Sequence, residues 1–588
     1  MASHPLDLAA LQSDYRSGLR TPEKVLSDLY DRIEAEPNDP TWIHVIPRTS
    51  ALERVPSPGP ASSDAPLRGV PFAVKDNIDV AGVPTTAACP DFKYTPTASA
   101  FVVDRLVAAG AVPVGKTNLD QFATGLVGVR SPYGIPRNPF NSEYIPGGSS
   151  SGSAVAVARG LCSFALGTDT AGSGRVPAAF LGLVGLKPTR GLLSTRGVVP
   201  ACRSLDCVSV FTRSCGDAAQ VLAAAAGYDE ADPYSRKAAP PHGDAPWPPR
   251  IGVPRRDQRE FFGNAEAEAL FERSIARWTR LGASIHEIDF SPFRDAARLL
   301  YEGAWVAERY AAIRNFVEEH PGSLHPVTEK IVTGARKLTA VDAFESEYRL
   351  AALRRASEAV WSEIDVLLTP TTGTAYRVAD VMADPIRLNS QLGYYTNFMN
   401  LLDLCGLAVP AGTYSCGVHF GVTLVAPAFH DDRILALGAR FLGEAAPGKA
   451  LPTVTNSDSV VRLAVCGAHL SGLSLNSQLT ERGAHLIAAA QTAAEYRLYA
   501  LPGATPPKPG LVRVLRDGVS IALEIWELPV DRYGDFVALI PAPLGIGRLK
   551  LRDGSLVQGF VCESAATEGA RDISEFGGWR SYLASQER

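Results

Sequence analysis

Residues 146–175 read PGGSSSGSAVAVARGLCSFALGTDTAGSGR: two turns rich in glycine and serine around an Ala/Val helix and a short strand. Gly and Ser favour tight turns on steric grounds alone, so either turn by itself is ordinary α/β punctuation. Together they set Ser149 and Ser173 among side chains too small to shield them. Around Ser173 the run Ala-Gly-Ser-Gly lets backbone N–H groups converge, as the oxyanion of a tetrahedral acyl intermediate requires. A serine nucleophile also needs a base. The ten histidines are scattered and none lies in either turn, so a Ser-His-Asp arrangement has no candidate. Lysine is the alternative. Lys75 ends the apolar run GVPFAV and begins the polar DN, as if a buried strand delivered it to a rim. Burial without a carboxylate disfavours its charge and lowers its pKa from about 10.4. A neutral Lys75 could then take a proton from Ser149, which takes one from Ser173. The competing possibility is a surface lysine, or one paired with Asp76.

Working outward, residues 67–227 alternate short β-branched runs (GVPFAVKDN, AVPVGKTN) with Ala-rich helical runs (FVVDRLVAAG, SGSAVAVARG). This alternation predicts an α/β layered sheet. Upstream, Thr21 as N-cap, Pro22 at the first position and Glu23 in the first turn open a helix. Its apolar face is Leu26, Leu29, Tyr30 and Ile33. Residues 56–66 and 232–250 read as Pro-rich loops. Residues 263–360 read as mainly helical, and IDVLLTPT and LCGLAVPAG return to strands and turns. The spacing of breakers sets a first domain over 1–445, a linker at 446–457 and a small α+β domain over 458–588, large enough to own a core.

The chain of 588 residues is 46% apolar and 20% charged, ordinary for a globular protein. A net charge of −5 and no Lys/Arg run give no field that calls for nucleic acid. No stretch approaches the roughly 18 apolar residues of a membrane helix, and the N-terminus has no basic start or long apolar run, so neither secretion nor spanning is expected and the cytoplasm is the default. Nine scattered cysteines without a CxxC pair suit a reducing compartment. GAVPVGKT at 110–117 fits the phosphate-loop pattern. Its context is wrong, because a helix precedes it and AVPVG itself reads as a strand.

The set GVPFAVKDNIDVAGVPTTAAC, PGGSSSGSAVAVARG, LGTDTAGSGRVPAAFLGLVGLKPTRG and SLDCV resembles the amidase signature family. The resemblance spans about residues 1–445. It implies an α/β fold with a mixed sheet flanked by helices, and a Ser-Ser-Lys triad. Lys75 would be the general base and acid, Ser149 the bridging serine after a cis peptide at Gly148, and Ser173 the nucleophile. Thr170, Ala171, Gly172 and Ser173 would supply the oxyanion N–H groups. Ala171 stands where the family has a first glycine, and Gly174 where it has isoleucine, which implies a changed pocket shape.

DQFATGLVGVRSPYG at 120–134, LCGLAVPAG at 404–412 and the C-terminal segment are similar to the allophanate-hydrolase branch. That resemblance implies a pocket of Gly125, Tyr301 and Arg309 for a small amide bearing one carboxylate. An arginine fork suits a carboxylate. Alternatively, Tyr301 and Arg309 are only neighbours on one amphipathic helix. The implied reaction releases ammonia and leaves N-carboxycarbamate, which loses carbon dioxide. It implies no metal or organic cofactor, a homodimer, and urea carboxylase as functional partner.

Residues 458–588 resemble the small C-terminal domain of that branch, with a γ-glutamylcyclotransferase-like fold. Cys466-Gly467-Ala468-His469 stands where cyclotransferases carry a Tyr-Gly loop, which argues against that activity. In the allophanate branch this domain is linked to decarboxylation of the first product, and His469 is its candidate, since histidine can carry charge near neutral pH and meet an anion. A structural histidine in a tight turn is the alternative. For the whole chain, three rivals stay open: a broad small-amide amidase, a non-enzymatic scaffold, and the glutaminase-type component of an amidotransferase.

Overall fold

The computed structural model describes residues 6–55, 65–238, 247–447 and 460–586. Most of the loop expected at 56–66 and of the linker expected at 446–457, and residues 239–246 of the loop expected at 232–250, lie outside those residues. The chain divides into two compact units, Met1–Thr453 and Val454–Arg588.

The first unit is built on one sheet of eleven strands: β1 (Trp42–Val45), β2 (Pro71–Lys75), β3 (Val112–Thr117), β4 (Phe164–Thr168), β5 (Val184–Lys187), β6 (Val208–Thr212), β7 (Arg250–Pro254), β8 (Ser284–Ile288), β9 (Val366–Pro370), β10 (Leu404–Thr413) and β11 (His419–Pro427). Their order is β1-β3-β2-β4-β6-β5-β10-β11-β9-β7-β8. β3, β2 and β4 run parallel, as do β9, β7 and β8. The other pairs, including the long β10–β11 hairpin, are antiparallel. The fold is therefore α/β with a mixed sheet, as the alternating pattern predicts. The strand β8 inside the segment read as helical is a difference. Its residues SIHEI are only partly buried at the sheet's edge, so they lack the apolar run that marks a central strand.

β2 and β4 pair in register through Phe72 and Phe164, whose rings stack with centroids 5.1 Å apart. Every residue of both strands is buried, and their C-terminal ends put Lys75 and Thr168 at the same rim. In parallel α/β sheets that rim is where ligands bind. The helix Ser151–Ala158 lies so close to the strands that a Cβ at Gly152 would come within 2.4 Å of the Thr41 carbonyl oxygen. Ser153 Oγ donates to the Leu166 carbonyl at 2.9 Å, and Ser150 Oγ donates to the Thr168 carbonyl at 3.1 Å. The small residues of the serine-rich stretch are thus mainly packing residues, with the Ser150 and Ser153 hydroxyls satisfied by the sheet. The predicted helix Pro22–Glu34 is present, capped by Thr21 and buried through Leu26, Leu29, Tyr30 and Ile33.

The phosphate-loop pattern falls in β3, as its valines suggest. Lys116 is fully buried there, 3.1 Å from Asp76 Oδ1, and donates to Thr85 Oγ1 at 2.8 Å. Its charge is spent inside the core.

The second unit has a five-stranded sheet of β12 (Val460–Val465), β13 (His485–Gln491), β16 (Ala522–Pro529), β17 (Leu544–Lys550) and β18 (Leu556–Cys562), in the order β13-β16-β12-β18-β17. A smaller sheet has the order β15-β14-β19, from β14 (Tyr496–Ala500), β15 (Pro509–Arg513) and β19 (Arg571–Asp572). It owns a core around Leu463, Leu498, Trp526, Phe536 and Phe560. All nine cysteines are free thiols, and among the described residues no helix is long and apolar enough to cross a membrane.

Candidate active site

Lys75 is fully buried, and Nζ donates to Ser149 Oγ at 2.8 Å and to Thr168 Oγ1 at 2.7 Å. It does not pair with Asp76, whose partner is Lys116. Among the described residues Lys75 makes no ion pair. Burial pushes its pKa down to about 7. The charges of Asp120, Asp169 and Asp206 oppose that shift, and Arg309 reinforces it. An amine with this pKa can accept a proton at neutral pH.

Ser149 follows a cis peptide at Gly148. Gly148 has to be glycine, because a Cβ there would come within 2.2 Å of Asp120 Oδ2 and 2.5 Å of the Gly128 nitrogen. Ser173 is 3% exposed, and its Oγ donates to the Gly125 carbonyl at 3.4 Å. Among the described residues no hydrogen bond joins Ser149 Oγ to Ser173 Oγ. The relay expected from the sequence is therefore built up to Ser149, while the second serine rests on Gly125.

The turn before Ser173 is the other half of the site. The N–H groups of Thr170, Ala171, Gly172 and Ser173 find no acceptor among the described residues, although all four residues are buried. Buried N–H groups are almost always paired, so four in succession leave donors that an incoming oxygen can take. The next N–H, on Gly174, is already taken by Asp169 Oδ2 at 3.0 Å. That carboxylate also receives the Arg175 fork, Nε on Oδ2 at 2.8 Å and Nη2 on Oδ1 at 2.9 Å. Gly174 does not shape the pocket as expected. A Cβ there would meet Ser209 Cβ at 2.5 Å, so it is a packing position against β6.

Tyr301 and Arg309 lie on two helices rather than one: Ser291–Glu302 and Trp305–Glu319. Gly303 breaks the run with an extended ψ of −168°. The residues still meet, with Arg309 Cζ 5.4 Å from the Tyr301 ring centroid. Arg309 is 2% exposed and makes no ion pair among the described residues; Nε and Nη2 have no partner, and Nη1 donates to Thr124 Oγ1 at 3.5 Å. Gly125 lies next to Thr124, and a Cβ on it would come within 2.6 Å of Asp120 Oδ2. Among the described residues no cluster of three or more His, Cys, Asp or Glu is placed to hold a metal.

Three site residues escape a reading of the sequence. Thr168 is one. Another is Asp206 in SLDCV, which accepts from Thr170 Oγ1 and from the Ala201 and Cys202 nitrogens; burial pushes its carboxyl pKa up. Thr124 is the third. The signal for Thr168 is its place as the polar end of the buried strand run FALGT.

In the second unit His469 lines a cavity of about 230 Å³ together with Gln478, Lys508 and Phe560. Its ring stacks on Phe560, with centroids 5.0 Å apart, and Nε2 lies 3.0 Å from Gln478 Oε1. Burial pushes its pKa down, and the hydrogen bond with Gln478 opposes that shift. That direction disfavours charge on the ring.

A buried lysine whose charge burial disfavours, two serines and a turn of N–H groups without acceptors thus lie at the C-terminal rim of a mixed sheet. Residues 24–435 match the amidase family model, and the chain belongs to that family. Residues 461–584 match the model of the allophanate hydrolase C-terminal domain. The chain is 43% identical to the urea amidolyase of Lachancea kluyveri over 96% of its own length and 32% of that protein's. It therefore spans about a third of the length of that relative. It is 36% identical to a chain of the glutamyl-tRNA(Gln) amidotransferase of Symbiobacterium thermophilum, over 70% of its own length and 90% of that chain's. The crystal structure of Kluyveromyces lactis allophanate hydrolase superposes with a TM-score of 0.72 at 42% identity, covering 98% of this chain and 99% of that one.

Proposed function

We propose that this chain hydrolyses allophanate through Lys75, Ser149 and Ser173. The observation that carries the substrate class is Arg309: a buried guanidinium with no ion pair among the described residues and with Nε and Nη2 unpartnered, beside Tyr301. A buried charge of this kind calls for an anion, and a carboxylate matches its fork. Likeness over nearly the full length of an allophanate hydrolase supports the same choice.

In this mechanism Ser173 Oγ attacks the terminal amide carbonyl and its proton passes through Ser149 to Lys75 Nζ. The N–H groups of Thr170, Ala171, Gly172 and Ser173 hold the oxyanion. Lys75 returns the proton, through Ser149, to the departing nitrogen, and ammonia leaves. Water then adds to the acyl-enzyme, Lys75 takes its proton, and collapse frees Ser173 and N-carboxycarbamate. Loss of carbon dioxide from that product follows, with the His469 cavity as its place. The amidotransferase relative matches 70% of this chain; the likeness of residues 461–584 to the allophanate hydrolase C-terminal domain favours allophanate over a glutaminase role. Urea carboxylase, which makes allophanate, is the functional partner this reading implies, and the longer urea amidolyases support such a link. A homodimer in the cytoplasm completes the proposal.

The test is ammonia release from allophanate, biuret, malonamate and glutamine, with Ser173→Ala as the blank. Preference for allophanate, lost in that variant, is the expected result. Serine-dependent release from glutamine with none from allophanate would overturn the substrate and keep the amidase chemistry.

A further inference from the structure

Residues 120–130 close over the serine site as a cross-braced loop. Asp120 Oδ2 accepts from the Val127 and Gly128 nitrogens at 3.1 and 2.9 Å, Oδ1 accepts from the Arg130 nitrogen at 2.9 Å, and the Gln121 nitrogen donates to the Arg130 carbonyl at 2.8 Å. The side chain of Arg130 is the unusual part. It is 1% exposed and makes no ion pair among the described residues. Its fork instead spans two carbonyls, Nη1 on Thr124 at 2.8 Å and Nη2 on Pro385 at 2.5 Å, and Nε has no partner. Burying a guanidinium against neutral carbonyls is unfavourable unless the geometry it enforces matters.

That geometry converges on the dipeptide Thr124–Gly125. The Thr124 carbonyl is the one Arg130 holds. Thr124 Oγ1 donates to the Phe122 carbonyl at 3.2 Å, which leaves its lone pairs for Arg309 Nη1 at 3.5 Å. The adjoining Gly125 carbonyl accepts from Ser173 Oγ at 3.4 Å. One residue therefore touches the free arginine and the next touches the nucleophile. Consecutive Cα atoms are a fixed ~3.8 Å apart, so a clamped dipeptide fixes the spacing of the two groups it holds. Arg130 and Tyr301 also line one cavity of about 310 Å³.

We propose that Arg130 and Thr124 are positioning residues that set the separation between Ser173 Oγ and the Arg309 guanidinium, and so select an amide whose carboxylate lies one fixed distance from its carbonyl. The proposal rests on the allophanate assignment. Arg130 clamps the dipeptide, and Thr124 orients Arg309 from it.

The experiment is steady-state kinetics of the full chain with allophanate and with biuret, its neutral analogue with carboxamide in place of carboxylate. Thr124→Val keeps the shape and removes the acceptor. It should lower the ratio of kcat/KM for allophanate over biuret by about tenfold, the scale of one charge-assisted hydrogen bond, chiefly through KM for allophanate. Thr124→Ser should restore the ratio to within about twofold of wild type. Arg130→Met should lower the ratio and also kcat for both substrates, because Gly125 loses its clamp. Should that variant fail to fold, the Thr124 pair decides alone. Equal losses for both substrates in Thr124→Val, or no rescue by Thr124→Ser, would overturn the proposal and leave the substrate assignment standing. A wild-type enzyme with no preference for allophanate would overturn that assignment and the proposal with it.

Discussion

Lys75 Nζ reaches Thr168 Oγ1 at 2.7 Å across the ends of two parallel strands, a shorter contact than its 2.8 Å bond to Ser149. Two neutral hydroxyls and no carboxylate hold the amine, which is why burial can bring its pKa to about 7. The proposed base must be neutral, so kcat/KM should climb about tenfold per pH unit below 7 and flatten above it. Arg309 is a positive neighbour that lowers this pKa, and its removal therefore raises it. Arg309→Met should move the acidic limb to higher pH. Biuret is the substrate for the measurement, since a neutral amide separates this effect from lost carboxylate binding. A limb that stays in place, or moves down, would show that Lys75 is not the titrating base.

Thr168→Val keeps the volume of the side chain and deletes the acceptor. The amine then has only Ser149 to hold it, and Asn77 Nδ2 loses its 3.4 Å contact with the same oxygen. Misplacing a general base should lower kcat about tenfold or more with little change in KM. The stability loss should be on the order of 1 kcal/mol, read as a small drop in Tm. An unchanged kcat would mean that Ser149 alone orients Lys75.

The Asp169–Arg175 pair supports the turn of free N–H groups from below. Both side chains are fully buried, and the pair is bidentate. Arg175→Met leaves Asp169 charged and without its fork, and breaking a buried pair on one side is destabilising by about 3–5 kcal/mol. The carboxylate is held below its ordinary pKa: burial raises it, and Arg175, Lys187 and the Gly174 N–H more than compensate. Its contribution to stability is present above the unfolded carboxylate pKa of about 3.9 and is lost as pH falls through the lower folded value. Arg175→Met should therefore lower Tm markedly at pH 7 and abolish turnover. Denaturation curves at pH 7 and pH 4 check it: at pH 4 the wild-type contribution is still in place, but the variant's buried Asp169, stripped of its cation, takes up a proton at higher pH, so the gap should narrow there.

The chemistry of the first unit is legible in sequence because it is local. Ser149 and Ser173 sit in turns whose small residues announce themselves, and Lys75 ends an apolar run that reads as a buried strand, although its position alone also allows a pair with Asp76. The roles of Thr124, Arg130 and Thr168 are not legible. Each depends on which strand or loop lies beside it, and Arg130 reaches Pro385 across 255 positions of chain. Gly174 shows the same limit, since Ser209 of β6, which it packs against, is set by sheet order alone. The break at Gly303 is hidden because Tyr301 and Arg309 sit eight positions apart, a spacing that one continuous helix also satisfies.

His469 offers a test in the second unit independent of Ser173. Its ring lies between Phe560 and Phe536, with centroids 5.0 and 5.3 Å away, and Nε2 lies beside Gln478. Burial lowers its pKa, and the nearby Lys508 charge lowers it further. The imidazole should therefore titrate below the ordinary value near 6.5 in the free protein. A dicarboxylate in the cavity, such as malonate, stabilises the imidazolium and should raise that value; the ring resonances of His469 in NMR would report both states. If the cavity handles the dianionic product of the first step, His469→Ala should make carbon dioxide lag behind the first ammonia while Ser173-dependent release of that ammonia continues. Carbon dioxide that keeps pace with ammonia in the variant, together with an imidazole blind to dicarboxylates, would reduce His469 to a packing residue of the Phe560 cluster.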